Sequence, residues 1–240
     1  MNLNSLHIRW SSHFYVVLMA LAIVAFWPGY LVVPKLELSG WLHFHAMSAT
    51  LWMLMLIVQP WAIRTGRRAL HVFLGRASYV LVPLIIVGFI GQAHAAMQGK
   101  SPQGQAVDAY FFYIRVVLVA MFAGTYVLGV LNRRDPDVHS RYMVCTGLSL
   151  IDPVVHRIAQ RIMGGADLNY QLLTFGVICA ILLLLISTAP HTKPGRRALM
   201  VVLIAYFLGG LPLALNFHTW GAPWTYWKSL SARFTALPLP

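Results

Sequence analysis

Acidic residues are scarce in this sequence. Its 240 residues include six Asp and Glu against 18 Lys and Arg, and only 10% of the chain is charged. A soluble domain carries about 25% charged residues, so this composition argues against a soluble protein. Cysteine is equally scarce, and Cys145 and Cys179 both lie inside apolar stretches. This placement argues against a fold built on disulfide bonds.

Long apolar runs occupy most of the chain, which is 59% hydrophobic with a mean hydropathy of +0.69. A helix needs about 20 mostly apolar residues to cross roughly 30 Å of hydrocarbon. We predict an all-α fold, a bundle of seven transmembrane helices over residues 1–218, followed by an outer interfacial C-terminal segment at 219–240. The predicted spans are 14–33, 42–63, 71–94, 108–131, 141–160, 170–189 and 198–218.

The net charge of +12 comes from Lys and Arg residues that fall between the apolar runs. They form no long basic patch with interleaved aromatic residues, so we expect no binding of nucleic acid. Short loops rich in Lys and Arg stay cytoplasmic, which predicts a cytoplasmic N-terminus and a C-terminus on the outer side. The cytoplasmic side would then hold eleven of the 18 basic residues: Arg9, Arg64, Arg67, Arg68, Arg76, Arg133, Arg134, Arg141, Lys193, Arg196 and Arg197.

The C-terminal segment carries three large aromatic residues, Trp224, Trp227 and Phe234, at roughly helical spacing. Such a segment is expected to lie at the outer interface of the membrane, with its indole rings at the depth of the lipid headgroups. An interfacial anchor is the simpler interpretation. A lid over a site at the outer ends of the helices is the alternative.

Ten histidines are many for this composition, and the predicted topology sorts them by depth. Neutral imidazole is the commonest metal ligand in proteins, and several imidazoles can converge on one ion inside a helix bundle. His43 and His45 project about 200° apart on a regular helix, so we prefer His45, while ligation by both from an irregular helix start stays open. Five histidines fall near the outer ends of four helices: His43, His45, His94, His156 and His218.

The inner ends of the helices carry His13, His71, His139 and His191. Both His71 and His139 follow a pair of arginines in a short loop. Helix capping and contact with phospholipid headgroups explain them adequately, so we assign these residues structural roles.

The fifth predicted span contains Asp152 and His156, four residues apart and therefore on one face of a helix. At this spacing a carboxylate and an imidazole can hold one ion or orient each other. The alternative interpretation is structural. Because Asp152 precedes Pro153, it could cap a new helical segment that begins after a kink.

Arg115 lies inside the fourth predicted span, seven residues after Asp108. A guanidinium at that depth costs at least a few kcal/mol unless it reaches the headgroups or finds a partner. Asp152 is the expected partner, and snorkelling past Tyr110 and Phe111 is the alternative. Turned inward, Arg115 could hold a carboxylate, an acyl headgroup or a haem propionate.

Three segments resemble an uncharacterised family of bacterial multi-pass membrane proteins. They are His43-Phe44-His45, Gly66-Arg67-Arg68-Ala69-Leu70-His71 with Leu74-Gly75-Arg76, and His139-Ser140-Arg141-Tyr142-Met143. The likeness covers the second to fifth predicted helices. It implies a location in the bacterial inner membrane and carries no activity with it.

The leading hypothesis is a histidine-rich metal site near the outer face, in a metal-dependent enzyme acting on a lipophilic substrate or in a metal-handling protein. Its ligands would be His45, His94, His156 and His218. Asp152 would be a ligand or a catalytic base, and Arg115 a second catalytic residue. Imidazole suits zinc, copper and iron alike, so the identity of the metal stays open.

Two other functions remain. A single b-type haem passing electrons to or from a quinone would use His45 with His94 or His156 as axial ligands, and Gly88 and Gly91 would admit the ring. A transporter or assembly factor would be expected to have broken helices lined with polar groups at mid-membrane. The sequence disfavours this third function, because the midplane of the predicted bundle is nearly bare of polar residues.

Overall fold

The computed structural model describes residues 6–33, 38–99, 102–164, 169–189 and 194–239. These ranges are almost entirely helical and contain no strand, which confirms the all-α fold. A π-helical turn at Trp27–Leu31 extends the first helix, and 3₁₀ turns cover Thr146–Leu150 and Phe217–Thr219. The α-helices are α1 (Leu6–Phe26), α2 (Gly40–Arg64), α3 (Arg68–Met97), α4 (Pro102–Leu131), α5 (Pro136–Cys145), α6 (Ile151–Met163), α7 (Asn169–Thr188), α8 (Pro194–Ala214) and α9 (Ala222–Thr235).

Six helical segments are long and apolar enough to cross a membrane: Trp10–Leu31, Gly40–Arg64, Arg68–Met97, Val107–Leu131, Tyr170–Ser187 and Pro194–Ala214. Their bounds differ from six of the predicted spans by at most four residues. Large apolar side chains on their outer faces are exposed, among them Phe73 (68%), Val80 (64%) and Leu184 (60%). Such an apolar exterior requires lipid around it, so this is a multi-pass membrane protein.

The fifth predicted span, 141–160, does not form one apolar helix. It is divided between α5 and α6 by the 3₁₀ turn Thr146–Leu150, and each helix is shorter than a bilayer requires. The broken segment packs against α1, α4, α7 and α8. Because neighbouring helices cover it, it carries Arg141 and Asp152, both buried, that a lipid-facing helix would exclude.

Tyr15 of α1 stabilises the break between α5 and α6. Its hydroxyl donates a hydrogen bond to the carbonyl oxygen of Val144, at the end of α5. A Cβ atom on Gly147 would overlap the Tyr15 ring, so glycine is needed here for the close approach of the ring. A backbone carbonyl released by a helix break is thus satisfied by a side chain from a neighbouring helix, as an apolar surrounding demands.

Further polar contacts lie at the middle of the bundle. The indole Nε1 of Trp52, midway along α2, donates to Thr146 Oγ1 at 3.2 Å. The hydroxyls of Ser149 and Tyr206, the latter midway along α8, are 2.9 Å apart. The expectation of a midplane nearly bare of polar groups is therefore wrong at the break. The error arose because single hydroxyl and indole groups barely alter the apolar character of a run.

Successive membrane segments run antiparallel when α5 and α6 are counted together as one segment, so the bundle has two distinct ends. At one end α2 begins, α3 finishes and α9 packs on α3 and α4. We call this the α9 end, and the other the opposite end. The sequence predicts that the α9 end faces outward.

Candidate functional site

Five polar residues from three helices form the candidate site, which we call the α9-end cluster. Its members are His45 of α2, Asp108 and Arg115 of α4, and His156 and Arg157 of α6. Ser39 places His45 in the second turn of its helix, because the Ser39 hydroxyl accepts a hydrogen bond from Leu42 N and caps α2.

Four atoms of this cluster are buried without a hydrogen-bond partner. They are His45 Nδ1, Asp108 Oδ2, Arg115 Nη1 and His156 Nδ1. Buried polar atoms are normally paired, so each exception needs an explanation, and a role in ligand binding or catalysis is one. The α9-end cluster therefore has unused capacity to donate and accept hydrogen bonds.

Arg115 does not pair with Asp152, contrary to the sequence prediction. The carboxylate that interacts electrostatically with Arg115 is Asp108, about two turns earlier on α4. The two groups form no salt bridge, and within the described ranges the salt bridge found is Arg141 with Asp137 at the opposite end. Arg115 thus keeps a buried guanidinium nitrogen free, which is costly inside a membrane bundle.

Asp152 is instead hydrogen bonded to α7. Its Oδ1 accepts a hydrogen bond of 2.5 Å from the Thr174 hydroxyl and another from Gln171 Nε2. It does not cap α6, whose N-terminal cap, Leu150, makes no side-chain capping bond. Asp152 and His156 also make no hydrogen bond, since His156 Nδ1 has no partner. The contacts of Asp152 join α6 to α7, a structural role that the sequence did not indicate. The capping interpretation is wrong, and the metal-binding and catalytic roles stay predictions.

His45 and His156, the two histidines of the α9-end cluster, each pack against an aromatic ring. The His45 ring lies 5.5 Å from that of Phe89, and Arg115 and Arg157 are within electrostatic range of it. The His156 ring is 5.7 Å from Phe111. Both imidazoles therefore combine a free polar nitrogen with aromatic neighbours.

The remaining outer histidines make separate contacts. His94 Nε2 lies 3.0 Å from Gln98 Nε2, and its ring packs on Phe234 of α9. His43 Nδ1 lies 3.0 Å from the Tyr30 hydroxyl. His218 is exposed in the 3₁₀ turn before α9. Shared depth, which the sequence predicts, does not bring the five histidines together.

A converged metal site is not found. Among the described residues, no three His, Cys, Asp or Glu side chains group in a way that could hold a metal ion. The glycines expected to admit a haem ring serve the packing of α2 on α3 instead. A Cβ atom on Gly91 would overlap the Trp41 ring, and one on Gly88 would lie 2.8 Å from the Phe44 ring.

The α9 helix closes this end of the bundle. Trp227 Nε1 donates to Ala109 O at 2.8 Å, and the Phe112 ring stacks on Phe234 with centroids 4.7 Å apart. Gln98 Nε2 donates to Thr235 O at 2.9 Å. The C-terminal segment thus packs against α3 and α4 at the end of the bundle that holds the candidate site. The interfacial anchor and the lid that the sequence suggests both stay predictions.

The fold and the site define a class, an all-helical multi-pass membrane protein with a partly unpaired basic cluster at one end of its bundle. In comparisons with known proteins, no family model, curated protein or solved structure matches the chain. The functional argument therefore rests on the geometry of the α9-end cluster.

Proposed function

We propose that this protein binds an amphiphile with an acidic head group, and that the head group enters the α9-end cluster. The observation that carries the proposal is the buried, unpartnered Nη1 of Arg115. A carboxylate or phosphate would supply the missing acceptor, and guanidinium is the side chain best suited to bind such groups.

The surroundings of Arg115 support an acidic ligand. Arg157 lies within electrostatic range of Arg115, and two positive charges at one site attract an anion. His45 and His156 add two nitrogens that can donate to it in the appropriate tautomer. Asp108 Oδ2 offers an unused acceptor, so the favoured head group carries a hydroxyl or ammonium donor beside its acidic group.

The apolar part of the ligand follows from the location of the cluster. The rings of Phe89 and Phe111 adjoin the two histidines, and Tyr170 packs on His156 at 6.3 Å between ring centroids. A ligand that reaches these residues from the bilayer needs a lipophilic body. Membrane lipids and lipophilic acids are the corresponding class.

A second candidate function is metal or haem binding with only two of the predicted histidine ligands, His45 and His156. His45 and His156 both have a free Nδ1 at the same end of the bundle, which supports a transition metal or a haem iron bound by these two residues. In this function Arg115 would hold a haem propionate. Zinc, copper and iron remain the candidates, and His43, His94, His218 and Asp152 have other contacts.

Ligand-induced stabilisation of the purified, delipidated protein tests the proposal. A ligand at 100 times its dissociation constant stabilises the protein by about 2.7 kcal/mol. We expect lysophosphatidic acid, whose head group carries a hydroxyl beside its phosphate, to raise the unfolding temperature, and a neutral monoacylglycerol of equal chain length to leave it nearly unchanged. Arg115→Gln should abolish the response, whereas Arg233→Gln, an exposed arginine of α9, should retain it.

An equal response to acidic and neutral amphiphiles, or a full response in Arg115→Gln, would contradict the acidic-ligand proposal. Absorption spectra and metal analysis of the same preparation address the second candidate. A Soret band, or a stoichiometric metal that is lost in both His45→Gln and His156→Gln, would support it over the first.

A further inference from the structure

A second group of unused polar atoms lies at the opposite end of the bundle, where α2, α3, α4 and α5 meet. The rings of His71 and His139 face each other there, with centroids 6.5 Å apart and planes at 89°. Two histidines from different helices are thus held in one place, far along the chain from each other and outside the α9-end cluster.

The tautomer of His139 follows from its hydrogen bond. Its Nδ1 lies 2.8 Å from the carbonyl oxygen of Gly129. A carbonyl can only accept, so Nδ1 carries the proton and Nε2 keeps its lone pair. This is the arrangement by which proteins orient histidines that bind metals, with the second ring nitrogen donating to a backbone carbonyl.

His71 and its neighbour add atoms that lack a partner. His71 Nδ1 and Gln59 Oε1 are both buried without a hydrogen bond, while Gln59 Nε2 donates to His71 O at 3.4 Å. The amide oxygen can only accept. The Gln59 oxygen is therefore an acceptor without a donor, and His71 Nδ1 is a second one in the tautomer that carries its proton on Nε2. A bound cation would satisfy such atoms.

Met143 brings a soft ligand to the same place. It lies four residues after His139, and so on the same face of α5. Its Sδ is in contact with Gly129, where a Cβ atom would lie 2.7 Å from the sulfur. Gly129 therefore contacts both side chains: its carbonyl oxygen orients the His139 ring, and its Cα lies against the Met143 sulfur.

We propose that His71, His139 and Met143 form a binding site for a monovalent copper ion. Imidazole binds copper, and a thioether selects Cu(I) over harder ions. The small number of ligands excludes a four-coordinate zinc site built from these side chains alone. Arg68 lies within electrostatic range of His71, and its charge favours an ion of low charge over a divalent one.

Competition for Cu(I) against a chromogenic chelator, under anaerobic reducing conditions, tests the site in the purified full-length chain. We expect one Cu(I) per chain. His71→Gln and His139→Gln should each weaken binding by about 100-fold or more, because loss of even an outer partner of a metal ligand costs about 10–100-fold. His13→Gln, an exposed histidine at the same end, is the matched control and should bind like the wild type.

X-ray absorption of the copper-loaded wild type reports the ligands without any substitution. We expect nitrogen and sulfur scatterers at low coordination number, and loss of the sulfur in Met143→Leu, a change that nearly conserves volume. Failure of the wild type to retain Cu(I), equal affinity in both histidine variants, or a spectrum without sulfur would each overturn the assignment. None of these outcomes bears on the α9-end cluster, whose variants lie at the other end of the bundle.

Discussion

Thr174 of α7 donates a hydrogen bond of 2.5 Å to Oδ1 of Asp152 on α6, and both side chains are buried. Gln171, one turn earlier on α7, donates to the same oxygen. A carboxylate inside a membrane bundle is costly unless it is hydrogen bonded. This pair therefore fixes how α6 lies against α7, and with it the placement of His156 and Arg157.

Thr174→Val keeps the shape of the side chain and removes the hydroxyl that Asp152 uses. We expect a loss of about 1–3 kcal/mol in the free energy of unfolding, since the hydrogen bond is buried and its acceptor is an acid. Thermal unfolding in one detergent measures the effect. Thr188→Val, at an exposed position of the same helix, should change stability by less than about 0.5 kcal/mol. Equal effects at the two positions would argue against a stabilising role for the Asp152 contact.

Gly147→Ala is expected to destabilise the break between α5 and α6. Its new methyl group would overlap the Tyr15 ring, and overpacking of this kind costs about 1–3 kcal/mol. Gly176 of α7 is the matched control, because a Cβ atom there has nothing within 4 Å. Gly176→Ala should be neutral or slightly stabilising, since alanine favours a helix over glycine by about 1 kcal/mol. Comparable unfolding temperatures for both variants would show that the Tyr15 contact does not need glycine.

Six spans could be predicted because the thickness of a bilayer sets the length of an apolar helix. Each of these six helices is long and apolar enough by its own sequence, whatever packs against it. The fifth segment could not be predicted, because its character depends on what covers it. Arg141 is tolerated there at 2% exposure because Asp137 pairs with it within the same segment. Hydropathy along the chain does not show which segments other helices will shield from lipid.

The site was harder to predict, because sequence position gives the depth of a side chain better than its direction. His45 and His94 were correctly placed at one end of the bundle, yet His94 turns to Gln98 and α9. The partners of Asp152 were missed although Gln171 and Thr174, three residues apart on an otherwise apolar helix, were visible as a polar pair. Pairing of buried groups across helices requires the packing that only the structure contains.

The contact of α9 with the bundle predicts a local effect of a single indole. Trp227→Ala removes the hydrogen bond to Ala109 O and the stacking contact with Phe112. We expect amide hydrogen exchange in α9 to rise by at least about tenfold, since aromatic contacts and one hydrogen bond each contribute about 1 kcal/mol. Tyr226→Ala, at a position 67% exposed, should leave exchange unchanged. Unaltered exchange in both variants would mean that other contacts suffice to hold α9.

The orientation of the bundle decides which side of the membrane each site faces. Eleven basic residues on one side of the predicted topology favour a cytoplasmic location for the opposite end and its His71–His139 pair. Exposed positions are available for labelling at both ends, Ser229 on α9 and Thr65 after α2. In intact spheroplasts of a bacterial expression host, Ser229→Cys should react with an impermeant maleimide, and Thr65→Cys should react only after permeabilisation. The native protein is the background control, since Cys145 is buried and the partly buried Cys179 lies within a candidate membrane span. The reverse pattern would place the α9-end cluster on the cytoplasmic side, and acidic amphiphiles would then have to reach Arg115 from the inner leaflet.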